Sequence, residues 1–267
     1  MITLTTDFGT KDAYVAAMKG VMLGICPEAR FVDVTHEISP QDVMEAAFVL
    51  REAVPYFPDG AVHLVVIDPG VGTGRRPVAV RTGTDWFVGP DNGLFPLVLG
   101  DTSPDAIVEL NNRRCWRTTT PSTTFHGRDI FAPAAAHLAA GRPLEDLGSS
   151  VDALKPLRWA QPRVDEDGIK GWIVHIDHFG NCITNISRDL FETHLPDHDS
   201  RSESAYKCFV GHERFRRTHV TYGAVSEGDP LLLFGSSGYL EVAVNGGSAA
   251  DQLNLRKGDS VDIVYQD

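Results

Sequence analysis

The chain has 267 residues, 42% hydrophobic and 22% charged, which is enough to bury a core and excludes disorder throughout. With 36 acidic against 24 basic side chains the formal charge is −12, which excludes the basic footprint of a nucleic-acid binder and disfavours anionic membrane surfaces. Its 4 cysteines form no CxxC pair, and neither a basic-then-apolar N-terminus nor an apolar run of spanning length occurs, so the expectation is a reduced, cytoplasmic protein with structural thiols.

Strand and helix signals alternate from the start. Ile2–Thr6 is predicted as a strand ending at Asp7, and Ala13–Ile25 as a helix stopped by Cys26-Pro27. Phe31–Thr35 is a second strand, and Asp42 with Glu45 makes a capping-box pattern before a helix over Val43–Val54. Ala61–Ile67 is continuously apolar, the pattern of a central strand covered on both faces, and it ends at Asp68. Val78–Arg81 and Trp86–Val88 predict further strands, Gly93–Leu99 a short helix, and Asp129–Ala140 an alanine-rich helix that Asp129 could cap. This alternation argues an α/β N-terminal domain over 1–150, a central sheet between helices. Residues 151–168 read as a linker. From 169 to 267 short β segments follow at 172–176, 182–186, 206–210, 218–221, 231–234, 240–244 and 261–265, predicting a smaller all-β C-terminal domain. The polar stretch 192–204 reads as a mobile loop.

Candidate chemistry sits in loops. Asp7 follows a strand, where α/β sheets bind ligands, and suits a ribose diol or an amine; taken alone, a loop Asp here is somewhat more often a cap of the next helix. DPGVGTGRR (68–76) has the glycines of a dinucleotide loop, but a β-like PVAVRT follows instead of the required helix. Its glycines fit an irregular turn holding Asp68 near Arg75, either as a site or as a surface ion pair. His126 precedes a helix start, and a lone loop histidine is more often structural or solvated than catalytic. His175, Asp177 and His178 could ligate a metal, but strand alternation separates them. His194 and His198 have helical spacing broken by Pro196, and His212-Glu213 lacks a second histidine. No metal is therefore expected. Gly235-Ser-Ser-Gly238 is not a nucleophile elbow, and no phosphate-binding GxxxxGK[ST] occurs.

In order, TDFGTKD (6–12), DVTHEISPQDV (33–43), DPGVGTGRR (68–76), GPDNGL (89–94), TFHGRDIFAPAAAHLAAG (124–141), IDHFGNCITNI (176–186) and GSSGYLEVAVN (235–245) are specific together. The chain resembles the S-adenosylmethionine hydroxide adenosyltransferase family, related to the fluorinase and chlorinase. The resemblance implies a fluorinase-like fold and a homotrimer, with active sites between the N-domain of one subunit and the C-domain of the next. It implies that water or hydroxide displaces L-methionine from C5′ of the substrate, giving adenosine, with no cofactor and a small molecule as the only other partner. Asp68, Arg75 and His126 match the trio of the hydroxide-using members; halide-using relatives have Tyr at the position of Asp68, and the fluorinase has Ser at that of Gly127. Asp7 matches the ribose-gripping carboxylate. Asp12, Asp177 and Ser236 match contacts to the methionine amino and carboxylate groups, and Phe179, Asn181 and Tyr222 the adenine side. Gln41 stands where halogenases place Trp, and Val244 where they have Arg. A halide-dependent enzyme and a non-catalytic sensor of the same ligand are the alternatives; a methyltransferase fits less well because the glycine loop lacks its helix.

Overall fold

The computed structural model describes residues 1–157, 161–194 and 206–265, and the chain divides into two compact units, Met1–Leu157 and Arg158–Asp267. In the first unit the strands are β1 (Ile2–Thr6), β2 (Phe31–Thr35), β3 (Val62–Val66), β4 (Pro77–Thr82), β5 (Asp85–Pro90), β6 (Ala106–Glu109) and β7 (Ser149–Ser150). Among the described residues they form one sheet in the order β2-β1-β3-β5-β4-β6-β7. The strands β2, β1, β3 and β5 run parallel, and β4 turns back between β5 and β6.

Alternation along each strand sends side chains to two cores. Ile2, Leu4, Val62, Leu64 and Val66 pack with Met18 and Met22 of α1 (Tyr14–Ile25) and with the alanines of α4 (Ala132–Ala139). Val65, Val78, Val80 and Phe87 pack on the other face with Ala46 and Leu50 of α2 (Val43–Ala53) and Leu94 and Phe95 of α3 (Leu94–Leu99). This is the sheet between helices that the apolar run at 61–67 demands. Each fully buried apolar side chain here contributes about 1.5–3 kcal/mol. A buried imidazole interrupts the second core. His63 is wholly buried in β3, its Nδ1 is 2.9 Å from Thr3 Oγ1, and its ring stacks on Phe87 at 5.0 Å.

Three local expectations need correction. The helix expected from Asp129 begins with a wide π turn, Gly127–Phe131, before α4, and Asp129 lies inside that turn instead of capping it. The Asp42 carboxylate does cap α2 by accepting from Glu45 N–H at 2.9 Å, but the Glu45 carboxylate accepts from Ser39 N–H, because the Asp42 N–H closes a turn onto the Ser39 carbonyl. The expected linker 151–168 is not wholly irregular: β8 (Arg163–Asp165) pairs with the next strand.

The second unit joins β9 (Gly168–Ile176), β10 (Cys182–Ser187), β11 (Tyr206–Val210), β12 (Glu213–Phe215), β13 (Thr218–His219), β14 (Pro230–Phe234), β15 (Tyr239–Val244) and β16 (Ser260–Tyr265). Their order is β12-β11-β16-β9-β10-β15-β14-β13, with β8 on β9. The unit is not all-β, since it carries helices α5 (Arg188–His194) and α6 (Ala249–Gln252). Within the stretch expected as a loop, 192–194 close α5 and 195–204 lie outside the described residues, as does His198. The helix forms because Phe191 is fully buried, edge-on to Tyr206 at 5.1 Å and against Phe234 at 5.3 Å. No helix among the described residues is long and apolar enough to cross a membrane.

Candidate active site

The parallel register pairs Thr6 of β1 with Val66 of β3, so the two strands end side by side. Asp7 and Asp68, just beyond those ends, therefore meet at the carboxyl edge of the sheet, where open α/β sheets bind ligands. They share a cleft of about 320 Å³ whose lining also includes Tyr14, Gln41, Phe125 and His126. Tyr14 and Phe125 meet edge to face at 5.2 Å, forming an aromatic wall.

Residues 68–75 fold back in consecutive turns, with Val71 N–H donating to the Asp68 carbonyl and Thr73 N–H to that of Gly70. Gly72 holds φ +75°, and a Cβ there would stand 2.4 Å from the Thr123 carbonyl oxygen. Only glycine lets this loop press against the segment that carries His126. The outcome is a chain of contacts. Arg75 Nε donates to Asp68 Oδ1 at 3.0 Å and Nη2 donates to Asp68 Oδ2, a bidentate, charge-assisted pair. Both side chains are buried, with relative exposures of 7% and 6%. Arg75 Nη2 also lies 3.2 Å from His126 Nδ1. A guanidinium only donates, so His126 Nδ1 accepts and the proton of the neutral ring sits on Nε2. Burial, then the Arg75 charge, hold the His126 pKa below its usual value. Arg75 Nη1 is buried with no hydrogen-bond partner among the described residues.

The π turn that follows His126 is tied down by Asp129. Asp129, 1% exposed, accepts from Arg117 Nε and Arg128 Nε, both at 2.7 Å, and from Ser122 N–H at 2.9 Å. The Arg128 hydrogen bond leads in holding the Asp129 carboxyl far below the carboxylate range. On the opposite side, Asp7 Oδ2 accepts from Gln41 N–H at 2.8 Å. Burial pushes the Asp7 carboxyl upward, and the Gln41 N–H works against that push.

A separate pocket of about 580 Å³ lies in the second unit, lined by Asp177, Phe179, Asn181, Tyr222, Val244 and the glycines 246 and 247. Asp177 builds it. Its Oδ1 accepts from the N–H groups of Phe179 and Asn181, and its Oδ2 from Asn181 Nδ2, all at 2.9 Å. Gly180 has φ +85°, and a Cβ would lie 2.1 Å from Ser248 Oγ. The turn thereby presents Phe179, 74% exposed, as a free aromatic face. Tyr222 Oη donates to Glu241 Oε1 at 2.7 Å.

Asp68, Arg75, His126 and Asp7 are thus brought together in one unit, and Asp177, Phe179, Asn181 and Tyr222 in the other. Asp12 and Ser236 line neither space; Asp12 is exposed on a bend and Ser236 is exposed in the turn between β14 and β15. His175 lies within β9 and Asp177 is engaged by its own turn. Sequence reasoning missed Glu241, which looks like an ordinary polar strand position, and the anchoring role of Asp129.

Comparison with known proteins agrees with this division. The model of the SAM hydroxide adenosyltransferase N-terminal domain matches residues 2–148, and that of the C-terminal domain matches 171–262. The chain is 45% identical to the (R)-S-adenosyl-L-methionine hydrolase of Salinispora tropica, over 98% of this chain and 97% of that one. It is 30% identical to a fluorinase of an Actinoplanes species, over 98% and 97%. A crystal structure of an uncharacterized conserved protein from Thermotoga maritima superposes with a TM-score of 0.88 at 39% identity, covering 98% of this chain and all of that one. With both domain models matched in order and relatives aligned end to end, the chain belongs to the SAM hydroxide adenosyltransferase family.

Proposed function

We propose that the chain hydrolyses (R)-S-adenosyl-L-methionine, attaching the oxygen of water to C5′ and releasing adenosine and L-methionine. The observation that carries this reading is the hydrogen-bonded run Asp68–Arg75–His126, whose two ends line the cleft that also holds Asp7. The C5′–S bond breaks with its electron pair passing to sulfur, so the sulfonium leaves as a neutral thioether and needs no proton. The O–C5′ bond forms in line behind it, and the proton of water passes to the Asp68 carboxylate and on to solvent. Arg75 and the Nε2–H of His126 donate to the attacking oxygen and stabilise its hydroxide character. Holding water and C5′ in line removes several kcal/mol, on the order of 7–11 at the upper end, from the barrier.

In this reading Asp7 grips the ribose hydroxyls, Phe179, Asn181 and Tyr222 hold adenine, and Asp12, Asp177 and Ser236 meet the amino and carboxylate groups of methionine. A displacement of so good a leaving group balances without metal or redox cofactor, and we assign none. We also assign a fluorinase-like fold, a cytoplasmic location, and a homotrimer whose subunits share each substrate. The test is turnover in ¹⁸O-labelled water, read by mass spectrometry. Adenosine labelled at its 5′-oxygen with equimolar methionine is the expected result. A product that forms only with chloride present overturns hydrolysis in favour of a halogenase, and tight binding of substrate that stays intact for hours overturns it in favour of a sensor.

A further inference from the structure

The segment 33–43 was singled out by its motif, yet the proposed chemistry uses none of its backbone. The Asp42 N–H donates to the Ser39 carbonyl at 3.0 Å, closing a four-residue turn with Pro40 second and Gln41 third. Gln41 has φ +65°, a conformation that glycine adopts freely and that other side chains seldom take. Positive φ at the third position distinguishes a type II turn from a type I turn, and the two differ by turning over the central peptide. That peptide here is Pro40–Gln41, and its N–H is the group bonded to Asp7 Oδ2 at 2.8 Å. Turned over, it would present the Pro40 carbonyl oxygen to the carboxylate instead.

We infer that Gln41 is a positioning residue for the reaction: its left-handed conformation aims its main-chain N–H at Asp7 and fixes the carboxylate that receives the substrate. The rest of the Asp7 loop is secured independently. Gly9 N–H donates to the His36 carbonyl at 2.7 Å, and Thr6 Oγ1 is 2.9 Å from His36 Nδ1. The Asp42 cap of α2 holds the far end of the turn. These contacts place the backbone of Asp7; the Gln41 N–H sets the direction of its side chain. A strained residue in a ligand cleft, where glycine would be free of strain, is the pattern of a site-building position.

The inference rests on Asp7 binding substrate, so its test carries a readout that does not. Gln41→Gly and Gln41→Asn tolerate positive φ and keep the N–H aimed at Asp7; Gln41→Val is β-branched and favours the turned-over peptide. The KM for S-adenosylmethionine is expected to be on the order of tenfold higher in the Val variant than in the Gly variant, with kcat differing by less than about threefold. In an Asp7→Ala background the Val-to-Gly difference is expected to vanish, as coupling through Asp7 requires. Carbon-13 NMR of the Asp7 carboxyl is expected to show a higher titration midpoint in the Val variant than in the Gly variant. Equal KM and equal Asp7 titration in the two variants overturn the inference, as does a Val effect that survives Asp7→Ala. If the wild type does not cleave the substrate, the proposed function fails while the Asp7 titration still decides this point. If the Val variant does not fold, Gln41→Ala is compared with Gln41→Gly by the same measurements.

Discussion

The polar atoms of the Arg75 guanidinium are all donors, and that fixes the state of its neighbours. Asp68 is held bidentate, and His126 is held neutral with its proton on Nε2. Removing Asp68 frees the guanidinium and removes the proton acceptor in one step. Asp68→Ala is therefore expected to lower kcat by roughly 10²–10⁴-fold with little change in KM. Steady-state kinetics check this, and a large KM effect at unaltered kcat would make Asp68 a binding residue. The state of His126 sets the pH profile. Its pKa lies below the usual 6.5, first through burial and then through the Arg75 charge. Protonation would place an N–H against the Arg75 donor, so the working form is the neutral one. Activity is expected to be level above pH 6.5 and to fall on the acid side of it. An acid limb with a midpoint above 6.5, in protein still folded by circular dichroism, contradicts this assignment.

The elements that deliver these residues were unequally legible. β1, β2 and β11 are continuous apolar or alternating runs between turn residues, and their bounds follow from pattern alone. β6, β8 and β12 have three or four residues each and little periodicity; their existence is decided by neighbouring strands. α5 has only 7 residues, marginal as an isolated helix, and it exists because Phe191 finds Tyr206 and Phe234. The site shows the same limit. Spacing suggests that Asp68 meets Arg75 seven residues on, but nothing local brings in His126 from 51 residues away; only the family resemblance did. Gln41 hides because a Pro-Gln-Asp turn lacks the glycine that marks positive φ. Glu241 hides in β15 as one polar residue among apolar ones. It is 5% exposed, burial pushes its carboxyl upward, and it accepts from the Tyr222 hydroxyl that lines the second pocket. β15 thus sets the angle of a ring carried by another element. Glu241→Gln keeps an acceptor and Glu241→Leu removes it. The KM of the Leu variant is expected to exceed that of the Gln variant by about 2–10-fold at similar kcat. Equal KM values would mean that Tyr222 is held by packing alone.

Across the whole molecule two acid responses oppose each other. With its ten histidines counted as neutral the formal charge is −12, and each proton the chain takes up as pH falls makes it less negative. That relieves self-repulsion and, taken alone, favours the folded state as pH falls. His63 acts against it. Wholly buried, with Nε2 unpartnered among the described residues and Nδ1 beside Thr3, it has its pKa lowered by burial to about 4. In the unfolded chain it titrates near 6.5, so between those values the unfolded state binds the extra proton and stability falls as pH falls. The loss runs from pH 6.5 to about 4 and amounts to about 3 kcal/mol, a large part of the margin of a folded domain. It is concentrated in the first unit, since His63 sits in β3 against Phe57 and Phe87. His63→Phe keeps a flat ring there and cannot protonate; its unpaired Thr3 hydroxyl adds a cost that does not change with pH. Urea unfolding of the two proteins from pH 7.5 to 4 measures the difference. The stability of the wild type relative to His63→Phe is expected to drop by about 3 kcal/mol across that range, with the steepest change midway between the two midpoints, at about pH 5. Parallel curves would mean that the His63 site admits a proton without unfolding, and that acid sensitivity belongs to other groups.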